Sequence, residues 1–290
     1  MIGALAALGS SLTWAVGTTV YPTLSAKYSP FEVNGSRALV ALLFFFPLSL
    51  LLDGHSGWSG VTGSHLIWML LSMVCSYFLG DACFLWSVKS LGVPGALAIA
   101  SIYPVWTATA GWIFKGEPLL VGQAFGITLA LLGTLLVILS GYRIQAEGVR
   151  YGRGVGFGLL TSGFWALNSW SVAAGGAGLS PWVGNSIRMA IALFLCGVTT
   201  SVLRRKVRLG LPFGVLKTYL GVFAFEAFGG SFLFLYGLTH TSLAVASSLS
   251  SLAPVIAVPL AWFRKSEPLT VTQVTGVLLA VAGVVILLTA

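Results

Sequence analysis

The sequence predicts an all-α membrane protein of about ten transmembrane helices, arranged as two inverted five-helix repeats. Three observations carry this. The 290 residues are 57% hydrophobic and 8% charged, whereas a soluble domain carries about 25% charged residues. Apolar stretches near the ~20 residues needed to cross hydrocarbon recur about ten times. The second half also repeats the first. Phe84-Leu85, Pro104-Val105, Trp112, Lys115, Glu117-Pro118-Leu119, Gln123, Gly126 and Gly133 return 150 residues later as Phe234-Leu235, Pro254-Val255, Trp262, Lys265, Glu267-Pro268-Leu269, Gln273, Gly276 and Gly283. Nearer the start of each half the offset is 151: Gly3/Gly154, Trp14/Trp165, Pro30/Pro181, Asn34/Asn185 and Arg37/Arg188.

The first run, 2–24, follows Met1-Ile2-Gly3, which lacks a basic leader region and reads as a span. Run 31–52 carries Arg37 early, and run 65–90 carries Asp81. Run 93–114 joins it closely at Lys89–Gly92 and holds Pro104; run 118–140 starts behind Glu117-Pro118. The second copy follows as 154–174, 181–203, 214–239, 243–263 and 268–289. Helix is required throughout, because unpaired backbone cannot sit in lipid and strand alternation is absent. The division is a first repeat over 1–141, a linker over 142–153 and a second repeat over 154–290. Five is odd, so the second copy enters the membrane from the opposite side. Substrate sites in such inverted repeats lie near the midplane, between the halves.

The net charge of +8 sits in short connections between runs, which marks membrane topology and not a nucleic-acid surface. Connections after odd-numbered helices carry 12 lysines and arginines and those after even-numbered ones carry Lys115 alone. By itself this places both termini outside. Arg204-Arg205-Lys206-Val207-Arg208 belongs to the same topology signal. The three cysteines (Cys75, Cys83, Cys196) lie in apolar runs without ligand spacing, so neither a disulfide frame nor a metal site is expected.

The duplicated signature Lys115-Gly116-Glu117-Pro118-Leu119 with Gln123, Gly126 and Gly133, and Lys265-Ser266-Glu267-Pro268-Leu269 with Gln273, Gly276 and Gly283, resembles the EamA family of the drug/metabolite transporter superfamily. The Trp14/Trp165 and Arg37/Arg188 pairs fit too, and the resemblance covers essentially the whole chain. It implies export or exchange of small metabolites, often amino acids, or of drugs. It also implies cytoplasmic termini, against the charge distribution; the basic connection expected between helices 2 and 3 has no lysine or arginine over 53–64.

Charged groups inside spans cost a few kcal/mol each on insertion scales and are functional candidates. Here they are Arg37, Asp81, Arg188 and Glu226, a neutral set. Asp81 and Glu226 have Ser231 and Ser76 as repeat mates, so the acids are not copies of one structural device. They are candidates to bind a substrate ammonium or exchange a proton, or else form an internal ion pair with an arginine. Arg37 and Arg188 either cap neighbouring structure or hold a substrate carboxylate or phosphate. Pro104 and Pro254, preceded by small residues, are expected to kink helices 4 and 9 and act as gates; Pro259 lies beside the second. Trp14, Tyr103, Trp165, Asn168 and Ser251 are expected to line the substrate site with Asp81 and Glu226. Trp86, Phe232 and Tyr236 are further aromatic candidates. Glu117 and Glu267 read as helix caps, and His55, His65 and His240 as interfacial residues.

No phosphate-binding loop, catalytic pair or metal cluster is present in the sequence. The expectation is a secondary transporter without cofactor, not an enzyme, working by alternating access with protons as coupling ion. A zwitterionic or amphipathic metabolite, foremost an amino acid, fits the neutral charge set and the aromatics. A drug, nucleotide-sugar or sugar-phosphate carrier is the alternative, and a channel the reading from another class. The expected partners are the small-molecule substrate and the lipid bilayer, with no nucleic acid, in a monomer or homodimer. A multi-pass protein of the cell (inner or plasma) membrane is expected.

Overall fold

A computed structural model of the protein describes residues 1–17, 20–140, 149–205, 209–257 and 270–289. The second signature Lys265–Leu269, Pro259, Lys206–Arg208 and most of the 142–153 linker lie outside the described residues. Ten helical rods follow the predicted runs: α1 (Ile2–Gly17), α2 (Pro30–Ser59), α3 (Gly63–Leu91), α4 (Gly95–Lys115), α5 (Val121–Ser140), α6 (Val149–Gly175), α7 (Pro181–Arg204), α8 (Phe213–His240), α9 (Leu243–Ala257) and α10 (Val271–Thr289). Among the described residues, seven of them are long and apolar enough to cross a bilayer, and α1 and α9 are shorter apolar helices. No strand occurs among the described residues.

Boundaries differ from the sequence reading in places, and the helix expected from 154 begins at Val149, inside the expected linker 142–153. In the first run the described helix is Ile2–Gly17, and a short helical segment follows at Tyr21–Ser25. The second helix runs to Ser59 instead of 52, through a π-helical turn at Ser49–Asp53 two residues after Pro47. The α3–α4 join is real but unusual. Helical turns continue from Gly80 to Ala100, yet the chain reverses inside that stretch. Ser87 and Ile99 both lie within 3.3 Å of the point where a Cβ on Gly158 would sit; twelve residues of straight helix would separate them by about 18 Å. The matching α8–α9 join breaks cleanly, because Ser242 there caps Val245. Its repeat mate, Gly92, has no side chain to cap with.

Packing repeats with the sequence, and in antiparallel sense. α5 lies on α10 with Gly126 opposite Gly283 and Gly133 opposite Gly276. A Cβ on Gly276 would come within 2.7 Å of the Gly133 carbonyl oxygen, and one on Gly283 equally close to that of Gly126. These glycines therefore set the approach of the two backbones. α1 packs on α8 as α6 packs on the end of α3: Gly3 abuts His240, and its mate Gly154 abuts Ser90 and Leu91.

The central α2–α7 pair shows the same inversion through its ends. Ser29 and Ser180 begin the two helices, each accepting from backbone N–H groups of the first turn. Glu32 completes a capping box with Ser29. Arg204, at the end of α7, reaches back to Glu32 at 2.8 Å. Its repeat mate Asp53, at the corresponding place in α2, accepts a hydrogen bond from the Ser180 hydroxyl. Each helix start is thus held by a side chain near the far end of the other.

Candidate functional site

Where the halves meet, a partly open cavity of about 820 Å³, counting its mouth, lies among α1, α2, α3, α4, α6, α7, α8 and α9. It takes in Trp14, Asp81, Tyr103, Trp165, Asn168, Glu226 and Ser251, all seven residues expected at a substrate site. Arg37, Arg188 and Pro254 line it as well. Pro104 does not, and neither do Trp86, Phe232 and Tyr236. Trp86 packs on Phe157, Phe232 lies tilted against Trp182 with ring centres 4.4 Å apart, and Tyr236 stacks on His240.

Local backbone structure opens the wall. Val74–Phe78 in α3 and its repeat equivalent Ala224–Gly230 in α8 are π-helical turns, a form common at functional sites. Ser76 and Glu226, which are repeat mates, stand within them. Helices α4 and α9 are interrupted at Ser101–Ile102 and Ser251–Leu252, each just before its proline. The expected kinks are therefore breaks. A proline ring cannot donate to the ladder, and the chain turns into a new helical segment at Tyr103 and Ala253.

The charged residues form one cluster and one solitary cation. The Arg37 guanidinium donates through Nε to Glu226 at 3.0 Å and through Nη2 to the other Glu226 oxygen at 2.5 Å. Its Nη1 donates to Asp81 at 2.9 Å and to Asn34 at 2.7 Å. The Tyr77 ring lies 4.4 Å from the guanidinium carbon, within cation–π range. The Trp165 indole donates to the second Asp81 oxygen at 3.2 Å and packs edge-on against Trp14, its repeat mate, with centres 5.3 Å apart. Arg37, Asp81 and Glu226 are all at least nine-tenths buried. The internal ion pair is thus present, and it joins both acids to one arginine. With both acids ionised the cluster carries −1; with one proton bound it is neutral.

Arg188 repeats half of this arrangement. Its Nη1 donates to Asn185 at 2.8 Å, as Arg37 does to Asn34, and its Nε donates to Ser72 at 2.9 Å. No carboxylate pairs with it among the described residues. It is 2% exposed.

Sequence reasoning missed Tyr77, Ser10, Ser169 and Phe234 on the cavity wall, and Asn34 as a partner of Arg37. The available signal was the Asn-x-x-Arg pair, present at 34–37 and again at 185–188: one helical turn apart, the amide orients the guanidinium. Glu117 is a cap, but of another helix. Its carboxylate accepts from Leu243 N–H at 3.0 Å at the start of α9, since its own helix begins at Val121. Its mate Glu267 lies outside the described residues. No group of three or more metal-ligating side chains occurs among the described residues, and the three cysteines are free and buried.

The apolar helices and the central cavity define an integral membrane protein built around an internal chamber lined by apolar and aromatic side chains with a few charged ones. Residues 1–139 and 152–289 both match the EamA-like transporter family, and the chain belongs to that family of membrane transporters. It is similar to an "Uncharacterized transporter" of Archaeoglobus fulgidus, 26% identical over 297 residues and covering 99% of this chain and 98% of the relative. It also shares its fold with a protein of known crystal structure, with a TM-score of 0.76 at 16% identity over 98% of this chain and 96% of the other.

Proposed function

We propose that the protein is a secondary-active carrier that exports or exchanges small amphipathic metabolites, foremost amino acids, across the cell membrane. The observation that carries this is the cavity between the halves, where two acids, two arginines and an aromatic pair meet. A chamber with charges of both signs and edge-packed tryptophans suits a zwitterion with an apolar side chain. A polyanion such as a nucleotide sugar would face two buried carboxylates. Alternating access follows from inversion: exchanging the conformations of repeats 1–141 and 154–290 turns an opening on one side into an opening on the other. The breaks before Pro104 and Pro254 are the hinges of that exchange. Arg37, Asp81 and Glu226 form the coupling group, because one proton moves the cluster between −1 and neutral at little structural cost.

The test is counterflow in proteoliposomes with a labelled amino-acid mixture that includes Phe, Trp, Leu and Thr. Accelerated exchange of some members is expected. Absence of exchange by folded protein would reject the amino-acid reading.

A further inference from the structure

We infer that Arg188, with Ser76 and Ser231, is the anion subsite of the cavity and receives the carboxylate of the transported molecule. The assignment rests on the transport reading above and deepens it. It comes from comparing the two halves residue by residue. Arg37 is satisfied by Asp81 from its own half and Glu226 from the other. The repeat mates of those acids are Ser231 and Ser76. Both serines line the cavity with Arg188, where symmetry would put carboxylates beside it. The same asparagine brace orients both guanidiniums, so the second is prepared as the first is, minus its acids.

A buried guanidinium without a counter-ion is costly unless something supplies the charge. Nothing in the protein does among the described residues. Among the described residues Arg188 bonds to the neutral groups of Asn185 and Ser72 through Nη1 and Nε, with no hydrogen bond from its Nη2. The Ser76 and Ser231 hydroxyls make no hydrogen bond among the described residues either. A planar carboxylate can take the guanidinium and a serine hydroxyl together. One negative charge fills the place: the cavity holds two arginines and two ionisable acids, so a zwitterion preserves the balance and a dianion does not. The cavity also carries the complement. Asn168 Oδ1, buried without a partner among the described residues, lines it together with Asp81 and offers the acceptor an ammonium group requires.

The experiment is counterflow with labelled L-phenylalanine, 3-phenylpropionate (carboxylate without amine) and phenethylamine (amine without carboxylate). The proteins are wild type, Arg188→Gln, Arg188→Lys and Ser231→Asp. Losing a charge-assisted pair should raise the apparent KM of the carboxylates about 10- to 100-fold in Arg188→Gln. Arg188→Lys, which keeps the charge without the fork, should fall between. Ser231→Asp rebuilds the Arg37–Asp81 pair in the second half; it should fold well and lose carboxylate exchange to the same degree. It decides the matter where Arg188→Gln fails to fold. Wild-type KM for carboxylates in either variant overturns the assignment, and so does a wild type that exchanges phenethylamine alone, which leaves the transport reading standing. Exchange of none of the three by folded wild type rejects both.

Discussion

Replacing Arg37 with glutamine should destabilise the protein far more than its position on one helix suggests. The substitution removes the only cation bonded to Asp81 and Glu226 among the described residues and strands two carboxylates in the interior. Removing one partner of a buried pair costs about 3–5 kcal/mol. For a chain near this size that is roughly 10 °C in melting temperature. The loss should shrink as pH falls, because neutral acids no longer need the guanidinium. It should also shrink when the acids go with the arginine, since neutral groups of similar shape replace a buried ion cluster at little net cost. The assay is thermal unfolding in detergent, followed by loss of the monodisperse chromatographic peak, for Arg37→Gln and for the triple variant Arg37→Gln/Asp81→Asn/Glu226→Gln. The single variant should melt about 10 °C below wild type and the triple variant close to it. If the two melt together, or Arg37→Gln matches wild type, the cluster is not the mutually satisfied unit inferred from its geometry.

Asp81→Asn and Glu226→Gln should each flatten the pH dependence of transport; full transport with unchanged pH dependence in both would end the case for proton coupling. Gly283→Val should cost about 3 kcal/mol or more or abolish folded expression, because its Cβ would meet the Gly126 carbonyl oxygen at 2.7 Å with backbone on both sides; a size-exclusion profile like wild type would contradict this. Ser29→Ala should cost about 1 kcal/mol through loss of the helix cap, visible as a drop of a few degrees in melting temperature. Trp165→Phe keeps an aromatic ring against Trp14 but loses the bond to Asp81, and should raise substrate KM several-fold with little change in melting temperature.

The sequence made the architecture legible because the bilayer leaves few options. Apolar runs of sufficient length must be helices, and a repeated odd set must be inverted. The duplicated glycines are consistent with helix contacts, but that they bring α5 onto α10 is visible only in the fold. The pocket residues Trp14, Trp165, Asp81 and Glu226 were legible for a related reason: polar or bulky groups inside a span need a partner or a cavity. What the sequence hid was pairing. Nothing in it says that Arg37 and not Arg188 takes both acids, because that depends on where the folded α3 places Asp81 within the first half and where α8 brings Glu226 across from the second. Pro104 and Pro254 look alike in sequence, yet only Pro254 reaches the cavity wall. Glu117 precedes its own helix and caps a distant one, since the free N–H groups nearest to it belong to α9.

The two halves share a frame but not a charge distribution, and that difference is where direction enters. A perfectly symmetric pair would have equal energy open to either side, and a substrate bound at its axis would favour neither. The frame here is close to that limit: the crossed clasps of Arg204 on Glu32 and Asp53 on Ser180, the matched π-turns and the matched helix breaks all come in pairs. The charges depart from it. Both acids gather on Arg37, while Arg188 keeps the cavity wall without them, so the chamber is polar along the line joining the two arginines. On the proposed carrier function, a zwitterion bound along that line would take one orientation, and rocking of the halves would present its ends differently to the two sides. Under the proposed proton coupling, protonation of the Arg37 cluster would then change the energy of one arm and not of the other. In this account Ser231→Asp, which makes the arms more alike, should weaken coupling between proton and substrate along with carboxylate binding.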